Sequence, residues 1–169
     1  MGRYRPPQPA ASKYITPEGH QHLQGELDFL WKKRRPEVTR ALSAAAAEGD
    51  RSENAEYIYR KKELREIDAR VRHLRKRLDG MKVVDRIPDD QDRIFFGAWV
   101  RLVDESDTES IYRIVGPDEF DPKLGYISMD SPMGKMLLGK ALDDEFRIRL
   151  PEGEAFYTII DVSYSVIEP

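Results

Sequence analysis

There is no cysteine in the chain. That excludes disulfides, thiol catalysis and cysteine metal sites, and it fits a reducing cytoplasm. No apolar run approaches the ~20 residues that a membrane span needs, so no membrane attachment is expected. Histidine is scarce. His20, His22 and His73 are the three present; they are scattered, lack metal-ligand partners, and read as ordinary surface residues. Internal repeats are absent, and the only low-complexity stretch is the alanine run at residues 44–47.

Charge, by contrast, is abundant. Charged residues make up 35% of the 169, against 40% hydrophobic. So much charge suits a large solvated surface, such as a long helical hairpin, better than a compact enzyme. The net charge of −3 hides an asymmetry. Residues 17–82 carry 16 lysines and arginines against 12 acids, a net of +4; residues 83–169 carry 9 against 19, a net of −10. A basic half followed by an acidic half points to two domains with different contact surfaces. Residues 1–13 are polar and proline-rich, and read as a disordered tail rather than a secretory signal.

The first half reads as helix. Thr16-Pro17-Glu18 is a start signal: a capping hydroxyl, a proline at the first helical position and an acid in the first turn. Leu23, Leu27 and Leu30 follow at helical spacing, and Val38, Leu42 and Ala45 resume the stripe. Pro36 between them predicts a kink near Arg34 and Arg35. Gly49 is a stop signal. A second helix begins a few residues later, with Leu64, Ile67, Val71, Leu74, Leu78 and Met81 alternating three and four apart. Two helices joined by so short a turn must run antiparallel, so residues 14–84 form a coiled-coil hairpin.

The second half changes period. Residues 98–104, 111–115, 126–129, 145–150 and 156–164 alternate as strands, separated by turn residues such as Gly116-Pro117 and Pro151-Glu152-Gly153. Ser131-Pro132 opens one short helix. Residues 85–169 are therefore expected to form a small antiparallel sheet carrying one helix. The whole chain is α+β.

The turn between the long helices reads Gly49-Asp50-Arg51-Ser52-Glu53-Asn54-Ala55-Glu56-Tyr57 and supports two readings. In one, Asp50 caps the second helix and Glu53 closes a capping box. In the other, Asp50 and Glu53 are a carboxylate pair at the end of a rod. Mg²⁺ is often held by one or two protein carboxylates plus waters and phosphates, so the pair would be half of a metal site that a partner completes.

This stretch resembles the tip signature of the bacterial Gre transcript cleavage factors, the GreB branch more than the GreA branch. The likeness continues in Arg35-Pro36-Glu37-Val38, Phe96-Gly97-Ala98-Trp99-Val100, Arg113-Ile114-Val115-Gly116, Ile127-Ser128-Met129-Asp130-Ser131-Pro132-Met133-Gly134 and Leu138-Gly139-Lys140. One departure is Ala141-Leu142-Asp143-Asp144, where the family commonly has a Gly-Asp turn. The resemblance implies a second domain of prolyl-isomerase-like fold, although a fold alone confers no activity.

It also implies a cytoplasmic, monomeric elongation factor that is not itself an enzyme. Its hairpin would enter the secondary channel of RNA polymerase, where the 3′ end of the nascent RNA is extruded on backtracking. Asp50 and Glu53 would help hold the second Mg²⁺ of the polymerase, which then cleaves its own transcript. Arg51 and Ser52 would position phosphate or water. Arg60, Lys61 and Arg65 would guide the RNA, a polyanion; the bland alternative is a solvated face paired with acids. Asp130, Ser131, Pro132 and Met133 would dock on the polymerase; the bland alternative is a helix cap with Met133 in the core. Three other classes compete. A channel-blocking inhibitor would be expected to lack the tip acids. A stand-alone nuclease would need more metal ligands. A general nucleic-acid-binding coiled coil is hard to reconcile with the acidic second half.

Overall fold

The computed structural model describes residues 10–49 and 53–168. Within them the chain divides into two compact units, residues 18–81 and the remainder.

The first unit is a helical hairpin. Helix α1 (Pro17–Phe29) runs through a π-helical turn, Leu30–Arg34, into α2 (Arg35–Ala47). The expected kink takes the form of this widened turn. Pro36 has no N–H to give to the carbonyl four residues back, and its ring would crowd that carbonyl. Immediately before it, the Arg35 N–H donates to the Leu30 carbonyl instead, a five-residue closure that opens the helix where the ring needs room. Helix α3 (Ala55–Leu78) returns antiparallel.

The seam is narrow. Val38, Ile67 and Val71 are buried, with Leu27, Leu30 and Leu64 packed against them; Leu23, Ala45 and Leu74 are buried as well. Ion pairs cross beside it. Arg35 bonds Asp68 at 2.8 Å, both nitrogens of an Arg70 fork bond Glu26 at 2.6 and 2.8 Å, and Arg34 bonds Glu63. No helix of the described residues is long and apolar enough to cross a membrane.

The second unit is built on a five-stranded sheet: β3 (Trp99–Asp104), β4 (Glu109–Val115), β5 (Tyr126–Ser128), β6 (Glu145–Leu150) and β7 (Gly153–Ser163), in the order β5-β4-β3-β7-β6. Alternation along the strands sends Val100, Leu102, Ile114, Phe146, Ile148 and Ile159 into one core. Helix α4 (Pro132–Leu137) adds Leu137 to it. The sheet is mixed, not wholly antiparallel. β4 and β5 pair in parallel, joined by a loop with two short 3₁₀ turns, Pro117–Glu119 and Pro122–Leu124. The other three pairings are antiparallel.

The segment before the hairpin belongs to this second unit. Tyr14–Ile15 (β1) pairs in parallel with Lys82–Val83 (β2), so the strands leading into and out of the hairpin hold each other. The Lys82 N–H donates to the Lys13 carbonyl at 2.8 Å, and the Val84 N–H to the Ile15 carbonyl at 2.9 Å. Ile15 is fully buried. The carboxylate of Glu119 gathers three donors: the N–H groups of Thr16 and Gly116, each at 3.0 Å, and the Thr16 hydroxyl. Gly116 is required here, because a Cβ would lie 2.1 Å from the Tyr14 carbonyl oxygen. The expected division into a tail of residues 1–13, a hairpin of 14–84 and a domain of 85–169 thus differs at both joints. Residues 12–16 form an ordered strap, and residues 82–84 pair with it. Two-residue strands carry no alternation that a sequence reading could detect.

Candidate functional site

The tip is shaped by Asn54. Its Oδ1 accepts from the Tyr57 N–H at 3.0 Å, which makes it the N-cap of α3, and its Nδ2 donates to the Ala45 carbonyl at 2.8 Å. One amide therefore caps the second helix and ties it to the first. The capping-box reading fails for Glu53, because the helix starts at Ala55 with Asn54 as its cap, so Glu53 precedes the cap. Asparagine is among the best capping residues, and that was the available signal. Glu53 is exposed on the turn just before the cap. Asp50, Arg51 and Ser52 lie outside the described residues. Gly49, with φ +130°, ends the first helical run.

Among the described residues, no three His, Asp or Glu side chains converge as a metal site. An exposed carboxylate that is not spent on capping fits Mg²⁺ only as one contributor to a site that another molecule completes.

The three cations near the tip divide. Arg60 is engaged by two acids, with its Nε 2.7 Å from Glu56 and a terminal nitrogen 2.9 Å from Glu63. Those hydrogen bonds, donated to Glu56 and to Glu63, raise its pKa further above the usual range. Lys61 and Arg65 are exposed and meet no described acid at ion-pair distance; the Lys61 ammonium lies 5.8 Å from the Tyr57 ring centre. The family resemblance grouped all three, and the structure separates the paired one from the other two.

In the second unit, Ser131 caps α4, its Oγ accepting from the Gly134 N–H at 3.0 Å and donating to the Ser128 carbonyl at 2.7 Å. Met133 packs on the core. Asp130 takes the Ser12 N–H at 2.8 Å and the Ser12 hydroxyl. Pro132 is the exposed member of the four. Ser131, Met133 and Asp130 therefore each have a structural task that position alone did not show for Asp130.

Residues 13–83 match the family described as transcription elongation factor, N-terminal, and residues 89–164 match transcription elongation factor, GreA/GreB, C-terminal. The chain is 57% identical to transcription elongation factor GreB of Xanthomonas axonopodis pv. citri over 98% of its length and 99% of the relative's. It is 56% identical to GreB of Pseudomonas aeruginosa, covering 97% of this chain and 98% of that one. Among solved structures, GreA factor homolog 1 of Thermus thermophilus is 25% identical, with 88% of this chain and 97% of that chain covered and a TM-score of 0.41.

Proposed function

Because the chain belongs to the GreA/GreB family of transcription elongation factors, we propose that it binds bacterial RNA polymerase and stimulates the polymerase to cleave backtracked transcripts. The reading rests on the tip: an exposed Glu53 at the end of a two-helix rod, released from capping by Asn54. Asp50 and Glu53 supply carboxylate oxygens to the second Mg²⁺ of the polymerase active centre. Held there beside the polymerase's own metal, such an ion would supply Lewis-acid activation of the phosphodiester and of water. The rod delivers the acids into the secondary channel and positions them, while the bond broken lies in the partner's active site. The protein is then an activator of another enzyme's hydrolysis. It acts as a monomer in the bacterial cytoplasm, where its partner works.

Lys61 and Arg65 contact phosphates of the extruded RNA 3′ end. Arg60, neutralised by two acids, adds little. The segment 130–133 docks on the polymerase through Pro132 and its surroundings, held in shape by Ser131 and Asp130. The test is cleavage by a purified backtracked complex. Asp50→Asn and Glu53→Gln are each expected to reduce stimulated cleavage by at least ~100-fold, about 2.7 kcal/mol of transition-state stabilisation, while polymerase affinity stays near that of the unaltered protein. Near-normal cleavage by both variants would remove the metal role.

A further inference from the structure

The hairpin carries a second cationic feature, far from the tip. Trp31, in the π-helical turn, remains 43% exposed although two guanidinium groups lie against it. The Arg75 carbon is 4.4 Å from the ring centre and the Arg35 carbon 5.2 Å. Arg35 is satisfied by Asp68. Arg75 meets no described acid at ion-pair distance. A guanidinium stacked by its face keeps its in-plane N–H donors for an anion. If the contact served only to pin the helices, burial of the indole would be expected, yet nearly half of it faces solvent.

The position is informative. At 3.6 residues per turn, Lys61, Arg65, Arg72 and Arg75 fall within about 80° on one face of α3, over a rise of about 21 Å. Arg72, like Lys61 and Arg65, is exposed and without a described acid partner. A strand of phosphates following Lys61 and Arg65 away from the tip would meet Arg72, then the Trp31–Arg75 pair. Interleaved cations and an exposed aromatic face are the pattern of a single-strand stacking platform.

We propose that Trp31 and Arg75 form a stacking station for single-stranded RNA. A base lies on the free part of the indole, and the adjoining phosphate takes the Arg75 donors. This deepens the polymerase reading and rests on it for the source of the RNA: only transcripts extruded far enough would reach the station.

Tryptophan occurs twice in the chain, so Trp99→Phe leaves Trp31 as the sole indole of the full-length protein. Its emission is followed while a short oligouridylate is added at low salt, and the titration is repeated with an abasic strand of equal length. The expected result is saturable quenching by the oligouridylate, and about tenfold weaker binding without quenching by the abasic strand. Arg75→Gln should weaken both. Equal binding and equal emission changes with the two strands, or binding detected by polarisation with no change in emission, would overturn the proposal. In backtracked complexes, Trp31→Ala should slow cleavage of long extruded RNA several-fold more than of short, with Trp31→Phe restoring most of the loss and circular dichroism confirming an intact hairpin. Equal loss at both lengths would also overturn it. If the oligouridylate quenches as expected but the unaltered protein stimulates no cleavage, the stacking station stands and the polymerase reading falls.

Discussion

Asn54 illustrates how much a single side chain organises. Its amide accepts on one side and donates on the other, so it fixes the start of α3 and the separation of the two helices at the tip. Asn54→Ala removes both bonds. A lost N-cap costs about 1 kcal/mol, and the Ala45 carbonyl loses its partner too. Hydrogen exchange at the tip amides is expected to accelerate, and stimulated cleavage to fall with it. Asn54→Asp keeps the acceptor for Tyr57 but not the donor for Ala45, so it should protect the first turn of α3 while still loosening the tip. Equal exchange in both variants and the unaltered protein would show that the amide does not hold the tip. The sequence did not single out Asn54 because Asp50, Ser52 and Asn54 are all good caps within five residues. What selects among them is a carbonyl on the opposite helix, which local spacing cannot reveal. The exposure of Glu53 on the turn was legible for the converse reason: it depends on no partner from the opposite helix.

The hairpin as an element depends on a thin apolar seam flanked by charge pairs. The periodicity of Leu64, Ile67, Val71 and Leu74 announced that seam, and Pro36 announced a distortion. The form of the distortion, a π-turn, was not legible, because it depends on how the backbone makes room. The cross-helix pairs depend on register and were equally hidden. They make the element acid-sensitive. The hydrogen bonds from Arg70 pull the Glu26 carboxyl below its usual 4.5, with burial opposing. For Glu63, burial pushes upward, but hydrogen bonds from Arg34 and Arg60 outweigh it and hold the group low. A carboxylate whose pKa is lower in the folded state contributes stability above its unfolded value, and that contribution disappears as pH falls through the folded value. Hairpin stability should therefore decline from about pH 4.5 downward. Because these groups are partly solvated the effect is modest. Thermal melts followed by helical circular dichroism would register it, and Arg70→Met should flatten the decline. An unchanged slope in that variant would assign the acid response to other groups.

At the scale of the molecule, the hairpin is an insertion between two strands that belong to the sheet unit. The strand pattern of the second half was legible from alternation and turn residues. The strap was not, since its anchors Glu119 and Asp130 are 103 and 118 residues distant from Thr16 and Ser12. A variant in which a short flexible linker replaces residues 18–81 should fold, compete for polymerase and leave cleavage unstimulated. A fragment starting at Phe95 should melt well below it. The fragment lacks Ile15, whose burial is worth roughly 1.5–3 kcal/mol, and it leaves Glu119 without its two donors from Thr16. Equal melting temperatures would show that the strap adds nothing. The same long-range tether bears on how the chain is made. The hairpin is complete in sequence by residue 81, and its cluster of Val38, Ile67 and Val71 with Leu27, Leu30 and Leu64 lies wholly within it. Ser12 and Thr16, synthesised before it, find their carboxylates only after most of the sheet has followed. The earliest residues of the strap are thus among the last to be placed, and the arm forms before the body that carries it.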